Sequence, residues 1–100
     1  MVRNVALIIL LDEENKILFQ HRTNDAPQYP GRWGFFGGGV HPNETPMDGV
    51  KRETYEELNY VLLNPELILT FDYKSIDREG KKYYFKERCA DKNDLKLQEG

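Results

Sequence analysis

Three glutamates that follow a run of glycines are the residues in this sequence best suited to chemistry. Glu53, Glu56 and Glu57 stand at positions i, i+3 and i+4, so a helix would place their carboxylates on one face. Charges of one sign repel at this distance, and a fold tolerates them best when a cation lies between them. A hard divalent cation such as Mg²⁺ prefers oxygen ligands. The spacing therefore predicts a magnesium site.

A helix with its own start and stop signals would carry this acidic face. Thr45 is a good N-cap, Pro46 suits the first helical position, and Asp48 completes a Thr-x-x-Asp variant of the capping box. Asn59 can adopt the left-handed conformation that ends helices. The sequence therefore predicts a helix between Thr45 and Asn59.

The same helix has a face for packing. Val50, Thr54 and Leu58 form a less polar stripe at i, i+4 and i+8. Arg52 and Glu56 are also four residues apart, so the arginine can hold one carboxylate in place.

The glycines at positions 37, 38 and 39 permit backbone conformations that are closed to other residues. They also let a ligand or a metal approach a bare carbonyl group. We therefore expect a strand, a glycine loop and a helix in sequence, with the acidic face of the helix opening on a polar cleft.

The order of these residues resembles the Nudix box, G-x5-E-x7-R-E-U-x-E-E-x-G-U, in which U is an apolar residue. The matching positions are Gly38, Glu44, Arg52, Glu53, Glu56 and Glu57. The sequence departs from the box at Asn59, where the family has glycine, and at Thr54, which takes an apolar position. Phe36 stands where many members have proline. The flanking residues 18–22 and 33–35 also resemble the family.

The resemblance implies an α/β fold, namely an α/β/α sandwich with a mixed sheet whose final helix covers the second sheet face. Residues 1–100 would form this single Nudix-like domain, but the polar residues 90–100 leave no sequence for the final helix. The chain would lack that helix either because the gene product is short or because the chain is truncated. A truncated chain would expose one sheet face, which a homodimer would cover.

The resemblance also implies hydrolysis of a pyrophosphate bond in a nucleoside diphosphate linked to a moiety X, with Mg²⁺ or Mn²⁺ as cofactor. The metal cancels the charge of the pyrophosphate and lowers the pKa of bound water. The implied metal ligands are the carboxylates of the acidic face and a backbone carbonyl of the glycine run: Gly37, Gly38, Glu53, Glu56 and Glu57.

The remaining catalytic roles fall to neighbouring residues. Arg52 would orient one of the glutamates, and Glu44 would tie the loop to the helix. The general base stays open among Glu53, Glu57 and an acidic residue from a distant loop, such as Glu99. Nearby carboxylates raise a carboxylate pKa and metals lower it, so the sequence does not decide between them.

The candidates for substrate binding lie outside the box. Arg22 and Arg32 would meet the phosphates, and Phe35 would stack on a nucleobase. A nucleoside triphosphate is the default substrate. Two other classes of function stay open: a catalytically silent Nudix-like module that senses a nucleotide or ADP-ribose, and a purely structural acidic domain without metal affinity.

Composition limits the partners and the compartment. The net charge of −3 gives no broad basic field, so we expect a small nucleotide as the partner and not a nucleic-acid polymer. The apolar residues 5–11 are too few to span a membrane. The single cysteine, Cys89, rules out an internal disulfide and fits a reducing cytoplasm.

The surrounding residues predict a sheet. Residues 5–11 are typical of a strand covered on both faces, and residues 16–22 of a second strand antiparallel to it. We also expect strands over residues 33–40, 66–76 and 82–89. The last two would form a hairpin whose turn, residues 78–81, contains Gly80.

Overall fold

A computed structural model of the protein describes residues 2–21 and 33–89. The elements follow the chain in the order β1 Val5–Leu11, β2 Ile17–Leu18, β3 Gln20–His21, β4 Trp33–Gly34, β5 Phe36–Gly39, α1 Pro46–Leu58, β6 Glu66–Lys74 and β7 Glu79–Arg88.

Strand β1 lies at the centre of a mixed sheet. β7 pairs with it in parallel, with Phe85 beside Ile8, whereas β2 and β5 pair with it antiparallel. β6 pairs with β7 on the far side from β1, and the short strands β3 and β4 pair with each other. With α1 packed on one face, this mixed sheet confirms the predicted α/β class.

Helix α1 begins and ends where the capping residues predicted. Thr45 has an extended backbone, and its hydroxyl oxygen accepts the Asp48 N–H at 3.1 Å. Asn59 has a φ of 54°, and its N–H donates to the Tyr55 carbonyl oxygen. The predicted capping box is half formed, because no bond within the described residues returns from the Asp48 side chain to the Thr45 N–H.

One face of the sheet is buried beneath α1. Ala6, Ile8 and Leu10 of β1 are 0% exposed, and they share a core with Val50 and Leu58 of the helix. The alternate side chains of β1 are only half-buried. The expectation that β1 is covered on both faces is therefore wrong for the part of the chain that the structure describes.

Two predicted boundaries also differ from the structure. The strand expected over residues 16–22 is divided between β2, which pairs with β1, and β3, which pairs with β4. The hairpin turn comes earlier than residues 78–81, since the Ser75 N–H donates to the Arg78 carbonyl oxygen at 2.7 Å. Gly80 lies inside β7, where the Arg3 carbonyl occupies the place of a Cβ. A strand glycine of this kind marks a close backbone approach and not a turn.

Among residues 2–21 and 33–89, no helix combines the length and the apolar character needed to cross a membrane.

Candidate active site

Strand β5 brings bare glycine backbone against the helix. Gly37 has a φ of 133°, a conformation that other residues rarely adopt, and a Cβ there would collide with the Ala6 carbonyl group. Its N–H donates to Oε1 of Glu57 at 2.9 Å. Glu57 is 6% exposed, so a nearly buried carboxylate of the helix is held directly by the glycine strand.

The next glycine makes room for a second carboxylate. A Cβ at Gly38 would lie 2.6 Å from Oε2 of Glu53 and 3.1 Å from its Oε1. Only a residue without a side chain leaves this space, because real Cβ atoms do not approach other atoms so closely. Two of the three glutamates on the acidic face therefore meet the backbone of β5 at adjacent residues.

Arg52 connects the acidic face to the loop and to β5. Its Nη2 donates to the Gly39 carbonyl oxygen at 2.9 Å and to Oε1 of Glu44 at 2.8 Å. Its Nη1 donates to Oε1 of Glu53 at 3.0 Å and to both carboxylate oxygens of Glu56 at 3.3 Å. One guanidinium thus offsets part of the charge on three glutamates, whereas the sequence pattern had paired it with Glu56 alone.

Glu44 fixes the loop that leads into α1. Its Oε1 accepts the His41 N–H at 2.9 Å, and both carboxylate oxygens accept the Arg52 Nε–H. Hydrogen bonding from Arg52, followed by that from the His41 backbone, lowers the pKa of Glu44 to about 2. The same pair raises the pKa of Arg52 above its usual range. Both groups are therefore charged at neutral pH.

The donor chemistry of this site fits a hard divalent cation. Glu53, Glu56 and Glu57 supply only oxygen, and the bare backbone at Gly38 lets a carboxylate lie against β5. Arg52 forms ion pairs with Glu53 and Glu56 at 3.0 and 3.3 Å. In the described ranges, no three His, Cys, Asp or Glu side chains lie close enough together to hold a metal ion as they stand.

Comparison with known proteins identifies the family. The family model of the NUDIX domain matches residues 1–100. The chain belongs to the Nudix family. Nucleoside triphosphatase NudI from Escherichia coli O1:K1 is 34% identical over 58 residues, which make up 58% of this chain and 41% of that protein. The match thus spans less than half of the curated relative.

Solved structures share the Nudix fold. The MutT protein from Methanosarcina mazei Go1 superposes with a TM-score of 0.83 at 21% identity, over 96% of this chain and 69% of that one. The mutator MutT protein from Bacillus halodurans superposes with a TM-score of 0.66 at 28% identity, over 87% of this chain and 56% of that one. These likenesses confirm the predicted Nudix fold class.

Phe35 belongs to an aromatic group on the sheet face opposite the Nudix helix. Its ring stacks on Phe19 with centroids 5.1 Å apart and meets the edge of Tyr84 at 5.9 Å; Tyr84 in turn stacks on Phe71 at 5.6 Å. Burial raises the pKa of Tyr84. Phe19 and Phe71 are 48% and 43% exposed, so the group presents aromatic surface to solvent.

The other predicted substrate and base residues, Arg22, Arg32 and Glu99, lie outside the described residues.

The sequence pattern did not single out two charged residues that hold distant parts of the fold together. The guanidinium of Arg3 occupies the place that a Cβ at Gly39 would take. The buried carboxylate of Glu87 accepts the Leu63 and Asn64 N–H groups at 3.0 and 2.7 Å and so holds the segment after the Nudix helix. Neither residue carries a local sequence signal, because its contacts join distant parts of the chain.

Proposed function

We infer that this Nudix chain hydrolyses a pyrophosphate bond in a nucleoside diphosphate linked to a moiety X, with Mg²⁺ or Mn²⁺ as cofactor. The observation that carries the proposal is the meeting of Glu53 and Glu57 with Gly38 and Gly37 on β5. Two negatively charged carboxylates lie here against bare backbone at adjacent residues. This arrangement suits a cation bound to a phosphate, and packing alone does not explain it.

The proposed metal ligands are Glu53, Glu56 and Glu57, together with a carbonyl of Gly37 or Gly38. When bound, the metal would offset the charge of the pyrophosphate and lower the pKa of a water molecule.

The chain's own residues would prepare this site. Arg52 holds Glu53 and Glu56 on the same side of the helix, and Glu44 holds Arg52. Glu57 is fixed by the Gly37 N–H and is nearly excluded from water. Glu53 and Glu57 are the proposed candidates for the general base, because both carboxylates lie at the glycine strand.

The proposed substrate is a nucleoside triphosphate. The name of the relative from Escherichia coli, a nucleoside triphosphatase, supports this choice. The aromatic group around Phe35 would stack on the base, since exposed aromatic faces bind nucleobases without strong sequence preference. The net charge of −3 supports a small nucleotide over a nucleic-acid polymer as the partner. We also propose action in the cytoplasm, where Cys89 stays reduced.

The test is release of phosphate or pyrophosphate from a nucleotide panel with Mg²⁺. Glu57→Gln keeps the size of the side chain and removes its charge. We expect a loss of turnover beyond the roughly 10- to 100-fold typical of residues that only support metal ligands. Glu13→Gln, at an exposed carboxylate in the turn after β1, is the matched control and should retain wild-type turnover.

Three results would contradict the proposal. Equal activity of Glu57→Gln and wild type would show that the Glu57 carboxylate takes no part in catalysis. Nucleotide binding with Mg²⁺ but without turnover would indicate a sensor module. A folded wild-type protein that binds neither metal nor nucleotide would indicate a structural acidic domain.

A further inference from the structure

Arg3 lies on the second face of the glycine strand. A Cβ at Gly39 would be 2.7 Å from Nε and 2.8 Å from Nη2 of Arg3, so the guanidinium occupies the space of the missing side chain. Successive residues of a strand face opposite sides of the sheet. Gly38 faces Glu53 and the helix, and Gly39 therefore faces the opposite side, as does its partner Val5. Arg3 and the acidic face thus flank β5 from two sides.

The charge of Arg3 is uncompensated within the described residues. No carboxylate there lies within ion-pair distance of its guanidinium, and its N–H groups make no hydrogen bond to a described residue. Arg52, on the other side of the strand, binds three glutamates. A half-buried guanidinium whose donors no described residue uses is a binding group for a carboxylate or a phosphate.

A second cation stands in the same row of the sheet. Val5 pairs with Gly39 on one side and with Lys82 on the other, so these three residues share one face. The Lys82 ammonium lies 5.2 Å from the centre of the Tyr73 ring, and no described carboxylate forms an ion pair with it. Arg3 and Lys82 therefore form a basic pair on the face that also carries the aromatic group.

The backbone at Arg3 is firmly held. Its N–H donates to the Glu79 carbonyl oxygen at 2.8 Å, and its carbonyl oxygen accepts the Tyr73 hydroxyl at 2.5 Å. Gly80 permits this approach, because any side chain at position 80 would collide with the Arg3 carbonyl. The backbone that carries the Arg3 side chain is thus already fixed by the fold, which lowers the conformational entropy lost on binding.

We propose that Arg3 and Lys82 form an anion subsite that binds a phosphate group of the nucleotide on the sheet face opposite the acidic helix. This subsite rests on the proposed function, since it takes a phosphate of the nucleotide whose base would stack on the aromatic group. Among the described residues β5 pairs only with β1. A phosphate chain crossing the outer edge of β5 would meet Glu53 beside Gly38 and Arg3 beside Gly39.

Direct binding tests the subsite without turnover. The probes are the α,β-methylene analogues of ADP, GDP, CDP and UDP with Mg²⁺, in which the P–C–P bridge resists hydrolysis, and the four nucleosides, which lack phosphate. Titration calorimetry compares wild type with Arg3→Met and Lys82→Met. Lys16→Met removes the same charge from an exposed turn at the other end of β1 and serves as the control.

Arg3→Met should weaken binding of the diphosphate analogues about 10- to 100-fold, and Lys82→Met about 3- to 10-fold. Lys16→Met should bind like wild type, and nucleoside affinity should be the same in every variant. Arg3→Lys should fall between wild type and Arg3→Met, because lysine keeps the charge but lacks the planar fork. The backbone bonds of Arg3 do not need its side chain, and the thermal midpoint of each variant checks that the fold is retained.

The outcomes separate this subsite from the proposed function. If the wild type binds the analogues and both methionine variants bind them equally well, the subsite is wrong and the hydrolase proposal stands. An equal loss for nucleosides and diphosphates would also overturn it, since the effect would then be structural. If the wild type neither binds the analogues nor turns over nucleotides, the proposed function fails and the subsite fails with it.

Discussion

Thr54 carries a buried hydroxyl group that no described residue satisfies. Its side chain is 0% exposed and lies in the stripe of α1 that packs on the sheet, and its Oγ1 has no hydrogen-bond partner within the described residues. An unsatisfied buried polar group costs about 1–3 kcal/mol. Valine has nearly the same shape, with a methyl group in place of the hydroxyl. Thr54→Val should therefore stabilise the protein.

The expected gain in the free energy of unfolding is about 1–2 kcal/mol, because threonine and valine have similar helix propensities and the unsatisfied group dominates the difference. For a domain of 60–100 residues, each kcal/mol shifts the thermal midpoint by roughly 4–8 °C. Urea unfolding followed by circular dichroism measures the gain, and the slope with denaturant should stay unchanged because the same surface is exposed.

The same substitution at Thr45 is the matched control with the opposite sign. The Thr45 hydroxyl oxygen accepts the Asp48 N–H at 3.1 Å at the start of α1. Thr45→Val removes this cap and should cost about 1 kcal/mol. If Thr54→Val destabilises the protein, or if both variants shift stability in the same direction, the reasoning from the unsatisfied hydroxyl is refuted.

Two further predictions concern the ion pair of Glu44 and the glycine at position 38. The pKa of Glu44 is about 2 in the folded protein, whereas its usual value is 4.5, so its ion pair contributes stability above pH 4.5 that is lost as the pH falls towards 2. The difference in unfolding free energy between wild type and Glu44→Gln should therefore shrink over that pH range, by at most about 3 kcal/mol. A difference that stays constant with pH would contradict this prediction. Gly38→Ala should push the Glu53 carboxylate away and raise the Mg²⁺ concentration needed for half-maximal turnover about 10-fold or more. Gly34→Ala, which meets nothing within 4 Å, should leave that concentration unchanged, and equal effects of the two would refute the argument.

The parts of the fold that the sequence predicted depend on local signals. Thr45 and Asn59 mark the ends of α1 because capping bonds join residues only three or four positions apart. The acidic face follows from helical spacing in the same way. Gly80 is the counterexample. A glycine next to charged residues indicated a turn, but Gly80 lies in a strand and leaves room for the Arg3 carbonyl group, which is 77 positions away in the chain.

Long-range contacts account for what the sequence did not predict at the site. The Tyr73 hydroxyl binds the Arg3 carbonyl oxygen across 70 positions, and the Glu87 carboxylate binds the Asn64 N–H across 23. Periodicity within one element carries no information on such pairs. Only the pairing of β1 with both β5 and β7 brings Gly39, Val5 and Lys82 into one row.

The contacts of Arg52 suggest how one side chain can serve both the fold and the metal. Its Nε and Nη2 are bound to Glu44 and to the Gly39 carbonyl oxygen, on the loop side of the site. Only Nη1 contacts Glu53 and Glu56. Arg52 can therefore release the two proposed metal ligands by giving up the bonds of one nitrogen while the other two keep the guanidinium in place. The same Nη1 offsets the repulsion between these two carboxylates and so helps to hold the acidic face in place.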